Sequence, residues 1–324
     1  MGSVNPPETL GRGLLIGFGR MGQRHFNHLQ NSPLAERFSI VDPTPLADDF
    51  IQMHPKIRLY SDTAQALAEE GPKWAIVAVS TTAHHRVALP LVKAGIHVLI
   101  EKPITPTEAE ALELIKEAAK TGAKVFVGHS ERFNPAVVAM RTFLQSNPLG
   151  AIHSLSLSRW GAAPGKIDPG NNVVLDLTVH DIDIIHSLGL SLSNIQSILS
   201  NSNSGGENYV DHSEVVARVA GGESGTNKCA DKGIATLSTS WKSPERLRLV
   251  RVLCDKGILE ADLLTQKLNW SGDESLKAPE ISKQFPIELQ LAAFMDSLAG
   301  KPSDICTAEQ GLEALLVARK ILQG

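Results

Sequence analysis

The chain has 324 residues, of which 42% are hydrophobic and 20% charged, as is ordinary for a soluble globular protein. Its formal net charge of -4 gives no electrostatic reason to expect nucleic acid or an anionic membrane as a partner. The cysteines are scattered, no stretch approaches the ~20 apolar residues of a membrane helix, and residues 1–8 do not resemble a secretory signal. These features predict a cytoplasmic protein with reduced thiols. We expect no metal site.

Short apolar runs alternate with helical patterns over residues 1–128. The runs are Leu14–Phe18, Phe38–Val41, Trp74–Val79, His97–Ile100 and Lys124–Val127. The helical patterns are Ala64–Ala68, Arg86–Ala94 and Glu108–Ala119. Thr107 and Glu110 have the spacing of a capping box at the start of the last helix. This alternation predicts an α/β fold with a doubly wound parallel sheet covered on both faces.

The alternation of apolar runs and helical patterns ends after Gly128. We place the domain boundary there, with a first domain at 1–128 and a second at 129–324. Predicted strands in the second domain are Ile152–Trp160, Val215–Val219, Ala235–Ser240, Leu247–Leu253, Ile258–Asp262 and Lys267–Trp270. Predicted helices are Pro135–Gln145, Leu175–Leu188, Ile287–Leu298 and Ala308–Ile321. Gly, Ser and Asn clusters separate the strands, which indicates a second α/β domain with a mostly antiparallel, open sheet and helices on one side.

A glycine loop follows the first apolar run. Gly17-Phe18-Gly19-Arg20-Met21-Gly22 fits G-x-G-x-x-G and opens a helical segment. The first glycine makes the tight turn, the second lets the backbone approach a pyrophosphate, and the third lets helix pack on strand. Free backbone N–H groups and the positive end of the helix dipole then meet the phosphates. The motif predicts a dinucleotide site that includes Phe18, Arg20 and Met21.

Asp42 closes the second apolar run. A carboxylate at this point can accept both ribose hydroxyls of a dinucleotide and would repel a 2′-phosphate. No arginine follows it closely. The sequence therefore favours NAD over NADP, although Asp42 could also be a turn residue before Pro43.

Three titratable residues further along the chain suggest catalysis. Lys102, in Glu101-Lys102-Pro103, comes just after a strand, where a doubly wound fold places chemistry. Asp176 and His180 are four residues apart, so a helix would present both on one face. A histidine can take the proton of an alcohol near neutral pH, and a lysine ammonium can polarise the same oxygen. This set predicts oxidation of a secondary alcohol.

These residues resemble those of the glucose–fructose oxidoreductase/inositol dehydrogenase (Gfo/Idh/MocA) family. The resemblance covers essentially the whole chain and implies a Rossmann domain followed by an α/β domain whose open sheet mediates assembly into homodimers or homotetramers. It implies that Lys102, Asp176 and His180 are catalytic, and that Glu101 lies near the nicotinamide ribose. His84 matches a family histidine at the start of the helix on the cofactor side. The resemblance also places Ser80 and Thr81 in a loop that contacts the cofactor, although this loop lacks the usual proline.

A narrower resemblance points to family members that oxidise UDP-N-acetylglucosamine at the 3-hydroxyl. It is carried by residues 128–137, with Arg132 and Asn134, and by Arg159, Asp168 and residues 174–183. Such members prepare a 3-keto nucleotide sugar for transamination in lipid A or surface polysaccharide pathways. Guanidinium forks match phosphate oxygens, so either arginine could bind the diphosphate, or form an ordinary ion pair.

Three alternatives remain open. A free polyol or monosaccharide dehydrogenase, such as an inositol dehydrogenase, would turn over substrates without a nucleotide. A sensor protein would hold NAD without turnover. The presence of Lys102, Asp176 and His180 argues against a sensor, because NAD binding alone needs no catalytic base. An offshoot that cleaves glycosides through transient oxidation would release no net NADH.

Overall fold

The computed structural model describes residues 10–32, 34, 37–146, 149–165, 170–201, 209–221 and 229–324, with the side chains of 230–232 left aside. Contacts divide the chain into two compact units. The first comprises the chain up to His129 together with Ile287–Leu312, and the second comprises Ser130–Pro286 and Glu313–Gly324. Among the described residues, none of the helices is both long and apolar enough to span a bilayer.

The described part of the first unit contains one six-stranded parallel sheet. Its strands are β1 (Gly13–Ile16), β2 (Phe38–Val41), β3 (Leu59–Tyr60), β4 (Trp74–Val77), β5 (His97–Ile100) and β6 (Val125–Val127). Their order is β3-β2-β1-β4-β5-β6, with β1 at the point where the winding reverses. The connecting helices are α1 (Arg20–Leu29), α2 (Asp48–Met53), α3 (Thr63–Glu70), α4 (His84–Lys93) and α5 (Glu108–Thr121). The doubly wound prediction is confirmed.

Local signals explain most of these elements. Every residue of β1, β2, β4 and β6 is buried, as expected for a sheet covered on both faces. Helix α5 begins with the expected capping box, because Thr107 and Glu110 each bind the other's backbone N–H. The sequence did not predict α2 or β3. Helix α2 has only six residues, none of them buried, and β3 has two, so neither leaves a readable periodicity.

The second unit is built on a seven-stranded sheet. Its strands are β7 (Ile152–Ala162), β8 (Leu190–Ser200), β9 (His212–Gly221), β10 (Cys229–Ser240), β11 (Lys242–Cys254), β12 (Gly257–Asp262) and β13 (Lys267–Gly272). They lie in the order β13-β12-β11-β7-β10-β9-β8, and only the β7–β10 pair is parallel. The mostly antiparallel prediction is confirmed.

One face of this sheet is covered by helices. Helix α6 (Pro135–Gln145) begins at Asn134, whose side-chain oxygen accepts the Ala136 N–H. A π-helical turn (Val174–Thr178) leads into α7 (Val179–Ser187). Burial alternates along β9, where the inward residues are buried and the outward ones exposed. The core of the second unit therefore lies between the inward sheet face and these helices.

Helix α8 (Pro286–Leu298) and the start of α9 (Ala308–Gln323) return to the first unit. Phe294 is fully buried, with its ring centroid 6.3 Å from that of Trp74 and 5.9 Å from that of Phe126. The predicted division assigned all of 129–324 to the second domain, whereas residues 287–312 group with the first. Helical periodicity shows that a helix has a buried face, but not which sheet covers that face.

Candidate active site

The glycine loop lies between β1 and α1. Gly17 has φ +91°, and a Cβ there would lie 2.7 Å from the Ala78 carbonyl oxygen. A Cβ at Gly22 would overlap the Gly17 carbonyl oxygen, so the third glycine allows the first turn of α1 to pack on the loop. Both positions require glycine for the reasons that the motif predicts.

The middle of the loop is open. A Cβ built on Gly19 would meet no atom within 4 Å, and Gly19 caps α1 without a side-chain hydrogen bond. Arg20 is exposed and Met21 half-buried in the first turn. An anionic group could therefore approach the backbone N–H groups at this helix start, where the helix dipole is positive. This open cradle fits the pyrophosphate of a dinucleotide.

Asp42 is fixed beside the glycine loop. Its Oδ2 accepts the Phe18 N–H at 2.6 Å, and its Oδ1 accepts the Thr44 N–H at 2.8 Å. Each oxygen keeps a further lone pair that a ribose hydroxyl could use. A cleft of about 600 Å³, a typical size for a small-molecule site, is lined in part by Phe18, Gly19 and Asp42. The structure thus brings Asp42 to the loop, as the sequence predicts.

Glu101 and Lys102 follow β5 in the same unit. Lys102 is half-buried, and Glu101 is 5% exposed. Glu101 Oε1 lies 2.7 Å from His25 Nε2, and Glu101 Oε2 accepts the Lys102 backbone N–H at 3.3 Å. Burial acts to raise the pKa of Glu101, but the His25 hydrogen bond and the positive charge of Lys102 outweigh it and lower that pKa. The carboxylate therefore stays ionised in a buried position beside Lys102.

Ser80 and Thr81 lie in the segment that follows β4, and His84 is the first residue of α4, which comes directly after this segment. His84 is buried, with Nδ1 2.9 Å from the Pro103 oxygen and Nε2 3.2 Å from the Val79 oxygen. Burial lowers the pKa of its imidazole. Ser80 is exposed and precedes a short 3₁₀ turn that starts at Thr81. His84 therefore ties the β4 loop to the peptide that follows Lys102.

In the second unit, Asp176 and His180 lie at the junction of the π-helical turn and α7. The Val179 N–H donates to the Val174 oxygen, five residues back, which is the π pattern. Asp176 and His180 are both half-buried, and Asp176 Oδ2 accepts the Trp241 Nε1–H at 3.3 Å. π turns of this kind are frequent at functional sites. The sequence predicted a continuous α-helix here and did not predict this turn.

The arginines predicted to bind a diphosphate are buried in ion pairs within the second unit. Arg132 is 3% exposed and pairs with Asp183, and Arg159 is 1% exposed and pairs with Asp181. These contacts match the ion-pair alternative and argue against a direct diphosphate contact, because a ligand would have to displace a buried carboxylate. Asn134 is also buried, with its amide donating to the Leu263 oxygen at 3.0 Å.

Asp168 lies outside the described residues. Sequence reasoning also missed three residues that support the site. His25 contacts Glu101, Trp241 contacts Asp176, and Asn172 accepts the Val174 and Leu175 N–H groups with its side-chain oxygen. Only Asn172 carries a local signal, because asparagine is a preferred residue before a helix.

Comparison with curated proteins finds inositol dehydrogenases. The chain is 26% identical over 221 residues to a myo-inositol 2-dehydrogenase of Thermotoga maritima, covering 65% of this chain and 66% of that protein. It is 25% identical over 323 residues to inositol 2-dehydrogenase 2 of Paenarthrobacter aurescens, covering 95% and 94%. The match spans little more than half, 56%, of a Rhodococcus erythropolis inositol 2-dehydrogenase.

Solved structures share the whole fold. UDP-N-acetylglucosamine 3-dehydrogenase GnnA of Acidithiobacillus ferrooxidans is 23% identical with a TM-score of 0.79, covering 96% of both chains. The WlbA dehydrogenase of Bordetella pertussis, in complex with NADH and UDP-GlcNAcA, is 16% identical with a TM-score of 0.80, covering 97% of this chain and 95% of that one. At these identities the likeness concerns the fold.

The family comparison agrees with the geometry of the glycine loop and Asp42. Residues 12–129 match the model of an oxidoreductase family with an NAD-binding Rossmann fold. Over these residues the chain is similar to the Gfo/Idh/MocA oxidoreductases, and the cofactor of its first unit is NAD.

Proposed function

We propose that the protein is an NAD-dependent dehydrogenase that oxidises a secondary hydroxyl of a sugar. The observation that carries the proposal is the pair Asp176 and His180. Both are half-buried beside a π turn, while the neighbouring acids Asp181 and Asp183 are almost fully buried. A helix built only for packing has no need of an accessible imidazole and carboxylate at this spacing. Lys102, which follows β5 in the NAD-binding unit, completes the proposed set.

In the proposed reaction, His180 takes the hydroxyl proton, because an imidazole is a competent base near neutral pH. Lys102 donates a hydrogen bond to the same oxygen and polarises it as carbonyl character grows. Asp176 orients the substrate from a carboxylate that Trp241 holds in place. Bound NAD supplies the hydride acceptor. The catalytic roles divide between an acid–base group, an electrophilic group and an orienting group.

Single substitutions test this assignment. We expect His180→Ala and Lys102→Ala to retain NAD binding but to lose turnover on the order of 100-fold or more, as for a missing acid–base group. Matched controls are His212→Ala and Lys242→Ala, which remove partly exposed residues in ion pairs of the second unit and should keep full turnover. NADH formation measures turnover, and calorimetric titration measures NAD affinity. Near-normal kcat in His180→Ala across neutral pH would remove His180 from the mechanism.

For the substrate, we propose the 3-hydroxyl of UDP-N-acetylglucosamine, oxidised to a 3-keto nucleotide sugar. Support comes from the motif residues 128–137 and 174–183 and from full-length fold similarity to GnnA. Because Arg132 and Arg159 pair with buried carboxylates, we expect other groups to bind the diphosphate. NADH formation should appear with UDP-N-acetylglucosamine and stay low with free N-acetylglucosamine at equal concentration. Product analysis by NMR should place the carbonyl at C3.

Inositol oxidation is the second candidate. It is favoured by the alignment with an inositol dehydrogenase over 323 residues and by the internal pairing of both arginines. Turnover of myo-inositol with no response to any UDP-sugar would select it and overturn the nucleotide-sugar assignment. A protein that binds NAD but turns over neither class would instead support a sensor role.

We also propose that the outward face of the second unit's sheet mediates self-association into a homodimer or homotetramer. Its outward side chains include Ile198, Val216 and Trp160, exposed by 77%, 50% and 38%. Exposed apolar patches commonly mark interfaces. Light scattering should give a mass above one chain, and Ile198→Lys with Val216→Lys should lower it. A monomeric wild type at micromolar concentration would refute self-association.

A further inference from the structure

Helix α7 carries two buried acids that flank His180. At about 100° of rotation per helical residue, Asp181 lies about 100° to one side of His180, and Asp183 lies about 60° to the other. Both acids are almost fully buried, at 2% and 1% exposure, while His180 is half-buried. The rotation of the helix about its axis therefore decides where the imidazole points.

Asp181 is held by an arginine of the sheet. Its Oδ1 accepts from Arg159 Nε at 2.8 Å. Arg159 Nη1 also lies 3.5 Å from Glu131 Oε1, and that same oxygen accepts from Arg248 at 2.5 Å. Burial alone would lower the pKa of Arg159, but Asp181 and Glu131 raise it, so the guanidinium stays charged. Asp181, on one side of His180, is thus linked to β7 and β11 through the ion pairs of Arg159, Glu131 and Arg248.

Asp183 is held from the other flank. Its two oxygens accept from Arg132 Nε at 3.1 Å and Arg132 Nη2 at 2.5 Å. These two parallel hydrogen bonds fix the orientation of the Asp183 carboxylate relative to the Arg132 guanidinium as well as the distance between them. Arg132 belongs to a short 3₁₀ turn, Ser130–Phe133, just before α6. Two arginines from different elements, Arg159 and Arg132, therefore form ion pairs with acids on the two sides of α7.

We infer that Arg159 and Arg132 are positioning residues that fix the rotation of α7, and with it the direction of His180, rather than ligands of the substrate. The inference rests on the proposed function, because it takes His180 as the base. A buried ion pair adds little net stability compared with apolar residues of similar volume, so packing alone gives weak reason for two such pairs here. Geometry matters more, since a 1 Å misplacement of a reacting group can cost about 100-fold in rate.

The test replaces the Arg159–Asp181 pair by apolar residues. Arg159→Met with Asp181→Leu leaves Glu131 paired with Arg248 and should fold. The matched control is Arg251→Met with Glu260→Leu, which removes an ion pair of the same chemistry from the same sheet, where Arg251 is 56% exposed. We expect kcat to fall about 10- to 100-fold in the first variant, with KM and NAD affinity nearly unchanged, and full activity in the control.

A second measurement needs neither cofactor nor substrate. The His180 imidazole signal in ¹H–¹⁵N NMR spectra, assigned with His180→Ala, should shift in the Arg159→Met/Asp181→Leu protein and stay in place in the control. A normal kcat with an unshifted His180 signal would overturn the inference. A raised KM with unchanged kcat would also overturn it and restore the arginine as a substrate ligand.

Two further outcomes are distinguishable. If His180→Ala keeps its activity, the proposed base is wrong, yet the NMR shift still reports whether the ion pairs orient the side chain. If the double variant does not fold, Arg159→Lys decides the matter, because it keeps the charge and loses the fork. Lower kcat and a shifted His180 signal in Arg159→Lys would support the inference, and wild-type values of both would overturn it.

Discussion

The buried pair His25–Glu101 allows a quantitative prediction. Because a carboxylate only accepts hydrogen bonds, His25 Nε2 carries the proton in the 2.7 Å contact with Glu101 Oε1. His25 is fully buried, so no water would replace the lost donor in His25→Leu, a change of similar volume. A hydrogen bond to a charged group contributes about 1.5–3 kcal/mol. We expect His25→Leu to lower the free energy of unfolding by about this amount at neutral pH.

The pH dependence follows from the lowered pKa of Glu101. A carboxyl whose pKa is lower folded than unfolded contributes stability above its ordinary value of 4.5, and this is lost as the pH falls towards the folded pKa. In His25→Leu the folded pKa of Glu101 rises. The difference between wild type and variant should therefore be largest at neutral pH, and it should shrink as the pH falls from the raised folded pKa of Glu101 in the variant towards the lowered folded pKa in wild type.

Urea unfolding at a series of pH values measures this difference. His25→Gln, which keeps an amide donor, should lose less than His25→Leu. His85→Leu, on α4, is a control at an ion pair that water can reach, because the side chain of His85 is 19% exposed and that of its partner Glu113 is 50% exposed, so this contact should contribute little. In a Glu101→Gln background, His25→Leu should lower the free energy of unfolding by less, because the buried side chain at position 101 is no longer charged. An equal loss at all pH values would refute the hydrogen-bond reasoning and assign the effect to packing.

The remaining predictions concern the cofactor. Asp42→Ala should narrow the preference for NAD over NADP in calorimetric titrations, since the carboxylate that repels a 2′-phosphate is gone; a wild type that prefers NADP would contradict this role. Gly17→Ala should abolish measurable NAD binding, because a Cβ at φ +91° would also press on the Ala78 backbone. Gly71→Ala, at a helix end with φ +54° and open space around its Cβ, is the control and should lose stability but not NAD affinity. Equal NAD affinity in both variants would contradict the tight-turn argument.

Elements with strong local signals were predicted well from the sequence. The bounds of β2, β5 and α6 agree residue for residue, since each has either a compact apolar run or a proline at the helix start. The G-x-G-x-x-G loop and Asp42 also meet as expected, because a parallel sheet brings the ends of neighbouring strands together.

The supporting contacts could not be predicted in this way. His25 and Glu101 are separated by 76 residues, and neither position carries a local pattern that names the other. The same holds for Arg159 and Asp181, which come from a strand and a helix. A lone arginine next to a strand end reads equally well as a phosphate ligand or as half of a buried ion pair. Only three-dimensional packing separates those two roles.

The return of residues 287–312 to the first unit has a consequence for synthesis and for engineering. During translation the NAD-binding unit cannot be completed until the whole of Ser130–Pro286 has left the ribosome. A fragment ending at His129 would lack Phe294 and would leave the Trp74 and Phe126 rings without their cover. Such a fragment would be prone to aggregate. An excised cofactor domain would need residues 287–312 rejoined to the chain that ends at His129, so the NAD-binding unit is discontinuous in the sequence.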